Sequence, residues 1–319
     1  MSVAFTFTGG YRKTRRKLQL IWPLQSIPTQ AAEAALPAFL LEVGFYSLLA
    51  FEARLERIPT AVFAIFLTIS AVLPYSLATA AFGTFEWKNF AWIALLAGAV
   101  SFWYLALPKK PAADLLLLVF MAAVWIGKLF SLWYLCPYPK LYLPVLGQLM
   151  WFRTGLFAML RIRRVQGVGF GFWPNKREWG IGFAHFLIFL PLAAILAKVI
   201  GFDSPRWPIL SFEKVSLLAI GTFFGTLWVL ALAEEFFFRG LLQQWLVAWT
   251  RSEVAGLILA SLIFGAVHVF FRHFPNWRLA VLAALAGIFY GLAFRRARSI
   301  RASMVAHSLV VTTWKIFFA

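Results

Sequence analysis

Repeated apolar stretches of about 20 residues constrain this sequence more than any other feature. A stretch of that length is long enough to cross the roughly 30 Å hydrocarbon core of a bilayer as a helix. Hydropathy predicts such stretches at 34–51, 59–82, 89–107, 112–135, 181–201, 214–236, 254–271, 278–294 and 302–318. Hydrophobic residues make up 62% of the 319-residue chain, against about 45–50% in soluble domains. The sequence therefore predicts an all-α, polytopic transmembrane bundle of about eight or nine spanning helices.

Positive charge is concentrated in short clusters beside the apolar stretches, at 11–17, 161–164, 175–177 and 295–301. The formal net charge of +18 would also suit nucleic-acid binding. Clusters that flank spanning helices, however, normally stay in the cytoplasm and contact anionic lipid headgroups. We therefore expect anionic lipids at the basic loops, no nucleic-acid partner, and a cytoplasmic N-terminus in a prokaryotic cytoplasmic (inner) membrane.

The apolar segment 141–160 contains three residues that are unfavourable in lipid: Pro144, Gln148 and Arg153. If the tail 11–17 and the hinge 161–177 are both cytoplasmic, an even number of crossings separates them. Four clear spans satisfy this condition, and a fifth would not. We therefore predict that 141–160 is interfacial or re-entrant.

These features divide the chain into four regions. We predict a basic cytoplasmic tail (1–33), a four-helix membrane region (34–136), an interfacial or re-entrant segment with a basic hinge (137–180), and a second membrane region (181–319). All four histidines lie in the last region, so it is expected to carry the chemistry.

Two adjacent glutamates lie in the apolar run "ALAEEFFFRG". A charge at the bilayer centre costs about 2.5–3.5 kcal/mol on insertion scales, so each acid needs a physical reason. Glu235 and Arg239 are four residues apart on one helix face, where they can neutralise each other. Glu234 points about 100° away from that face. The pattern predicts one structural acid and one acid that is free to react.

Two histidines occur in the following apolar segments: His268 in "LIFGAVHVFF" and His307 in "SMVAHSLVV". A carboxylate, an assisting imidazole and a donor for a developing oxyanion are the groups that activate water for hydrolysis. A lone intramembrane histidine or Glu–Arg pair more often joins helices, but the combination favours a functional site. The sequence has no compact metal-ligand motif such as HExxH, so we expect no metal and no cofactor.

The same residues form an ordered set of motifs. "EEFFFR" (234–239) matches EExxxR, "FGAVH" (264–268) matches FxxxH, and His307 stands where an HxxxN or HxxxD motif begins. This set resembles the CPBP family of glutamic intramembrane proteases, which includes type II CAAX prenyl endopeptidases and bacteriocin-immunity-type (ABI) proteins. The resemblance covers about 180–319 and marks 181–319 as the expected catalytic membrane domain.

The resemblance also implies roles for individual residues. Glu234 and His268 would activate the water that attacks a peptide carbonyl, and His307 would help to form the oxyanion hole. The implied site-organising residues are Glu235, Arg239 and Phe264. The expected substrate is a membrane-associated protein or peptide, lipidated ones included, that is cut near the cytoplasmic membrane surface without a metal.

The third motif departs from the family pattern because Val311 stands where Asn or Asp is usual. Loss of an oxyanion-hole donor costs about 10²–10³ in rate. Ser303 and Trp314 lie on roughly the same helical face as His307, and both can donate a hydrogen bond. They are the candidate replacements for the missing donor.

Two other functions stay open. The chain could be a catalytically weak or inactive scaffold or immunity-type protein of the same fold. A proton-coupled transporter is the less favoured alternative, because we find no Gly/Pro-broken segments in matching halves.

Overall fold

The computed structural model describes residues 27–202, 211–271 and 274–318, with only the backbone at residues 52 and 53. Within these ranges all regular secondary structure is helical. The helices are α1 (Thr29–Ser47), α2 (Thr60–Ala81), α3 (Trp87–Ala106), α4 (Pro111–Ile126), α5 (Leu129–Trp133), α6 (Pro144–Phe157), α7 (Lys176–Val199), α8 (Phe212–Thr250), α9 (Glu253–Val267), α10 (Trp277–Ala297) and α11 (Ile300–Phe317).

Seven of the described helices are long and apolar enough to cross a membrane. They are α1 with its extension to Phe51, α2, α3, α7, α8, α9 with its extension to Phe270, and α10. Helix α4 is apolar but has only 16 residues, and α11 packs among α7, α8 and α10. The protein is an integral membrane protein with a polytopic helical fold, as predicted. The number of helices that meet both criteria is seven, below the eight or nine expected.

The predicted span 112–135 is interrupted. Helix α4 begins at Pro111, whose fixed φ angle suits a first helical turn, and it ends at Ile126. Lys128 has a left-handed backbone conformation with a φ of 52°, which ends a helix. The chain then resumes in the short helix α5, so this segment is two helices and not one long span.

Helix α8 is much longer than the predicted span 214–236. Its 39 residues extend about 58 Å at 1.5 Å per residue, which exceeds the roughly 30 Å hydrocarbon core. Two π-helical segments, Thr226–Ala231 and Phe236–Gln243, lie on either side of the α-helical turn Leu232–Glu235. π-Helical segments inside helices often mark functional positions, and here they flank the turn that carries both glutamates.

The prediction that 141–160 is interfacial or re-entrant stays a prediction, but the packing of α6 shows how its charge is accommodated. This helix and its π-helical extension Ala158–Arg163 lie against α1, α2 and α3. Arg153 Nε pairs with Glu42 Oε1 at 2.9 Å with both side chains 0% exposed, and Arg153 Nη1 donates to Ser70 Oγ (2.8 Å). The charge that argued against a buried position is therefore neutralised by a partner from another helix.

The two basic segments that were expected on one side of the membrane lie together. Ser299 Oγ donates to Gly169 O at 2.8 Å, which joins 295–301 to 161–177. We call this end of the bundle the basic end.

Other connections form the opposite end of the bundle, which we call the distal end. Thr84 Oγ1 donates to Leu135 O (2.8 Å), which joins the α2–α3 and α5–α6 connections. Arg278 Nη1 donates to Gly201 O (2.7 Å), which joins the start of α10 to the end of α7. Helix α6 therefore runs from the distal end to the basic end.

The packing shows at which end of the bundle the first helix begins, and this differs from the position that the parity argument implies. Arg161 Nε donates to Leu55 O (3.0 Å), which places the chain after α1 at the basic end and residue 29 at the distal end. Five passes precede residue 163, namely α1, α2, α3, α4–α5 and α6, whereas the parity argument used four. The basic tail 11–17 lies outside the described residues, so its cytoplasmic location stays a prediction.

The predicted regions 34–136 and 181–319 share one apolar core. Buried residues of both, for example Phe63 and Leu227, belong to the same cluster, and the Tyr46 hydroxyl donates to Trp228 O (2.6 Å). The boundaries at 33, 136 and 180 stay predictions. The N-terminal helices therefore pack directly against helix α8.

Candidate active site

Both glutamates meet His307 where α8 packs against α11. His307 Nδ1 donates to Glu235 Oε1 at 2.8 Å, and His307 Nε2 lies 3.8 Å from Glu234 Oε2. The imidazole thus stands between two carboxylates. Because the hydrogen bond to Glu235 uses Nδ1–H, the neutral ring presents the lone pair of Nε2 to Glu234.

Glu235 and Arg239 form the ion pair that the four-residue spacing predicts. Arg239 Nη1 donates to Glu235 Oε1 (3.2 Å), and Arg239 Nε lies 3.2 Å from Glu235 Oε2 with both side chains almost fully buried. Arg239 Nη2 donates to Gly287 O on α10 at 3.1 Å. The pair therefore holds α8 to α10, while the same carboxylate holds His307 on α11.

Aromatic rings enclose the Arg239 guanidinium. Its central carbon lies 4.6 Å from the Phe264 ring centroid, 5.3 Å from that of Tyr290 and 5.7 Å from that of Phe238. A cation over aromatic faces is stabilised by the ring quadrupoles, most strongly away from water. The Tyr290 ring also stacks on His307 at a centroid distance of 4.6 Å. These rings fix the positions of the arginine and of the imidazole.

Glu234 differs from Glu235 in how its oxygens are used. The side chain is 20% exposed, and its Oε2 has no hydrogen-bond partner among the described residues. The 3.8 Å separation from His307 Nε2 is beyond a direct hydrogen bond but suits a bridging water. Glu235 Oε2 also has no hydrogen-bond partner among the described residues, but it lies 3.2 Å from Arg239 Nε within the ion pair. The two acids therefore differ in that Glu235 is paired with an arginine, whereas Glu234 Oε2 lies beside an imidazole.

His268 lies at the end of α9, one residue beyond the last α-helical position, Val267. Its Nδ1 donates to Phe264 O (2.7 Å), and its ring lies 4.6 Å from the Phe264 ring. Phe264 therefore packs beside His268, as expected, and on its other side faces His307 at 6.1 Å. No direct contact joins His268 to either glutamate in the described structure.

A cavity of about 230 Å³ adjoins both imidazoles. Its wall comes from α7, α9, α10 and α11 and is mostly apolar. The lining near the site includes Phe264, His268, Tyr290, His307 and Val311. Glu234 is not part of this wall and reaches the site from the α8 side, through its contact with His307.

The two histidines lie at different distances from the basic end of the bundle, and the cavity extends over both levels. His307 lies about 10 Å along α11 from the basic end, and His268 lies about 22 Å along α9 from the same end. The cavity spans both levels and continues to Trp314 and Phe318 near the distal end. The space beside the imidazoles therefore leads away from the basic clusters.

Neither predicted oxyanion donor stands beside His307. Ser303 is fully buried, and its hydroxyl donates to Ile300 O (2.8 Å) within its own helix. Trp314 lines the cavity, but its ring packs on Phe202 and Phe318, about 10 Å along the helix from His307. Their role as oxyanion donors stays a prediction: the Ser303 hydroxyl would have to leave Ile300 O, and Trp314 would have to act from about 10 Å along the helix.

The sequence reasoning missed Tyr290, Gly287 and Gly291. A Cβ added at Gly287 would lie 3.0 Å from Ser261 Cα, and one at Gly291 would lie 2.3 Å from Leu257 Cδ1. The four-residue spacing of the glycines is a known signal of close helix packing in membranes. That signal could have identified the α9–α10 contact, and with it the tyrosine between the two glycines.

The described residues contain no group of three or more His, Cys, Asp or Glu side chains arranged to hold a metal ion.

Comparisons with known proteins identify the segment that carries these residues. The family description "Type II CAAX prenyl endopeptidase Rce1-like" matches residues 216–313. YpbD, an uncharacterised protein of Bacillus subtilis (strain 168), is 33% identical over 82 residues, which cover 26% of this chain and 38% of YpbD. No solved structure gives a significant match. The matched residues 216–313 include both glutamates, His268 and His307, and the match supports a relationship of this segment to the CAAX protease family.

Proposed function

We propose that the protein is an intramembrane endopeptidase of the glutamic type. The observation that carries the proposal is the position of His307, bonded to Glu235 through Nδ1 and 3.8 Å from Glu234 through Nε2. The similarity of residues 216–313 to the Rce1-like family supports protease activity in general. The adjoining cavity supplies a space in which a peptide bond can approach these groups.

Glu234 acts as the general base. A water between Glu234 Oε2 and His307 Nε2 donates one hydrogen to each of them, which orients its oxygen lone pair for attack. Glu234 takes a proton, the water oxygen bonds to the peptide carbonyl carbon, and the C–N bond then breaks. The proton passes from Glu234 to the leaving nitrogen, so the step is balanced without a metal. General acid–base catalysis of this kind contributes about 10²–10⁴ in rate.

The geometry favours an exchange of the roles that the resemblance implies for the two histidines. His307 is the imidazole that contacts Glu234, so we assign it to water activation. His268 lines the same cavity from the other side of Phe264. In its protonated form, Nε2–H of His268 donates to the oxyanion of the tetrahedral intermediate.

Substrate and location follow from the same proposal. A membrane-associated protein or peptide reaches the apolar cavity, and a lipid attached to it is compatible with that lining. Anionic lipids contact the basic loops. We place the protein in a prokaryotic cytoplasmic membrane.

A second candidate function is a membrane scaffold of the same fold. It is favoured by the position of Val311, an apolar residue in the cavity wall, and by the way Glu235 and Arg239 join three helices. On that view the polar cluster only holds the bundle together. Glu234 then has no catalytic role, and its replacement leaves the function of the scaffold intact.

The test compares membrane proteomes from cells that express wild type, Glu234→Gln or Glu213→Gln. Glu213 is exposed in the first turn of the same helix, so its replacement is a matched control for the chemical change. We expect new peptide N-termini with wild type and Glu213→Gln, and none with Glu234→Gln at equal protein levels. Identical cleavage patterns in all three strains contradict the proposal.

A further inference from the structure

A second cleft lies at the basic end of the bundle, apart from the proposed active site. Its volume is about 380 Å³, and its lining consists of His185 on α7, Glu253 at the start of α9, and Leu292, Arg295 and Arg296 near the end of α10. The cleft is open to its surroundings, because the Glu253 side chain is 60% exposed and Arg296 is exposed. It shares no lining residue with the cavity beside His268 and His307.

Arginine side chains make this cleft positive. Arg295 pairs with Glu253, but Arg295 Nε has no hydrogen-bond partner among the described residues. Arg177 Nη2 donates to Arg296 O at 3.2 Å, which brings a third guanidinium to the rim. Three arginines against one glutamate leave a net positive charge, and the planar guanidinium group matches the oxygens of a phosphate.

The buried side of the cleft supplies a hydrogen-bond acceptor. His185 is only 9% exposed, and its Nδ1 bonds to Ile181 O at 2.7 Å. Because a carbonyl oxygen can only accept, Nδ1 carries the hydrogen, and the neutral ring presents the lone pair of Nε2 away from the helix backbone. Together with the exposed Glu253 carboxylate, this acceptor suits a ligand that carries hydrogen-bond donors beside its negative charge.

Apolar side chains continue from the cleft along two adjacent helices, which Phe189 and Phe289 join at a ring-centroid distance of 5.7 Å. On α10 the stripe consists of partly exposed or exposed residues on one helix face: Leu292, Ile288, Leu285 and Val281. On α7 the residues that share a face with His185 are 45–63% exposed: Ile188, Leu192 and Ile195. Spacings of three and four residues keep each set on one face. The α10 stripe is about 16 Å long, close to half of the roughly 30 Å hydrocarbon core, so its length suits one lipid leaflet.

We propose that the cleft binds an anionic phospholipid whose headgroup carries hydroxyl groups, such as phosphatidylglycerol. Arg295 and Arg296 bind the phosphate, the headgroup hydroxyls donate to His185 Nε2 and to Glu253, and an acyl chain lies in the groove between α7 and α10. Basic pockets between spanning helices bind anionic headgroups in this way. The site is more specific than the general contact of anionic lipids with basic loops, which requires only charge. It depends neither on the proposed hydrolysis nor on which side of the membrane the basic end faces.

Titration with phosphatidylglycerol, followed by native mass spectrometry of the full-length protein in an uncharged detergent, tests the site. Arg298→Gln is the matched control, because Arg298 is exposed at the same end and does not line the cleft. We expect the affinity to fall about fivefold in Arg296→Gln and about fivefold again when Arg295→Gln is added, since each arginine near a lipid surface contributes about 1 kcal/mol. Arg298→Gln should bind like wild type. An equal loss in Arg298→Gln, or no loss in Arg296→Gln, overturns the proposal.

A change of ligand identifies which part of the lipid is bound. Phosphatidylmethanol keeps the charge but has no headgroup hydroxyl, phosphatidylethanolamine has no net charge, and inorganic phosphate has no acyl chain. We expect wild type to bind phosphatidylglycerol about fivefold more tightly than phosphatidylmethanol, as one hydrogen bond allows, and His185→Phe to bind the two equally.

Equal binding of the two anionic lipids by wild type overturns the assigned headgroup. Binding of phosphatidylethanolamine as tight as that of phosphatidylglycerol, or displacement of the lipid by inorganic phosphate, overturns the proposal of an anionic phospholipid. Glu234→Gln should bind lipid like wild type, so failure of this site and failure of the proposed hydrolysis are separate results.

Discussion

Two buried Glu–Arg pairs in this molecule have different surroundings. In the N-terminal half, Arg153 uses Nε, Nη1 and Nη2 on Glu42 and Ser70, and both oxygens of Glu42 accept hydrogen bonds. In the C-terminal half, the pair of Glu235 and Arg239 adds His307 and lies beside Glu234, whose Oε2 has no partner among the described residues.

The difference shows how a membrane protein can use the same side chains for stability and for chemistry. At the Glu42–Arg153 pair every charged side-chain atom has a hydrogen-bond partner, which suits a role in holding helices together. The second pair leaves one acid incompletely bonded next to an imidazole and an apolar cavity. Intramembrane charge is therefore informative about function where hydrogen bonding is incomplete, and much less so where it is complete.

The largest expected effect is on folding, at the fully bonded pair. Arg153→Met leaves the Glu42 carboxylate buried without its partner, which typically costs about 3–5 kcal/mol. We expect most of the protein to be lost from the monodisperse fraction in mild detergent, measured by size-exclusion chromatography and thermal unfolding. Arg177→Met, at an exposed arginine, is the control and should leave both readouts unchanged. A stable Arg153→Met protein would show that the first pair is not structural.

A smaller loss of stability is expected at the second pair. Glu235→Gln keeps the shape but weakens the bonds to Arg239 and His307, at a cost of about 1–3 kcal/mol. Cleavage should fall as well, because His307 loses the acceptor that orients its ring. The measurement is thermal unfolding together with the rate of release of a peptide found in the proteome comparison. If Glu235→Gln changed neither the stability nor the cleavage rate, Glu235 would not be needed to position His307.

The helical bundle and the Glu235–Arg239 pair could be predicted from sequence, because apolar length and four-residue spacing are local properties. The burial of Arg153 in α6 could not, since the partner that neutralises it lies 111 residues earlier in the chain. The hydrogen bond from Ser303 to Ile300 O could not be predicted either, because a helical face does not show which carbonyl accepts the hydroxyl. The residue pattern also does not predict the π-helical segments on either side of the turn that contains Glu234.

The smallest effect is a gain in rate at the position where the third motif departs from its pattern. Val311 lines the cavity one helical turn from His307, so Val311→Asn adds a donor near the proposed oxyanion. Restoring a single donor of this type should raise kcat by about tenfold, below the 10²–10³ that a complete loss costs. Val311→Leu is the matched control and should give no gain. If neither variant changes the rate, position 311 has no part in stabilising the oxyanion.

The most direct test of the central claim separates folding from cleavage at the two sites in one experiment. Purified Glu234→Gln and Arg153→Met proteins are reconstituted beside wild type, and the folded fraction and the release of the same peptide are measured for each. The account predicts that Glu234→Gln is folded like wild type and releases peptide at least a hundredfold more slowly, while Arg153→Met is poorly folded. Peptide release by Glu234→Gln at the wild-type rate would contradict the claim that this incompletely bonded acid performs the chemistry.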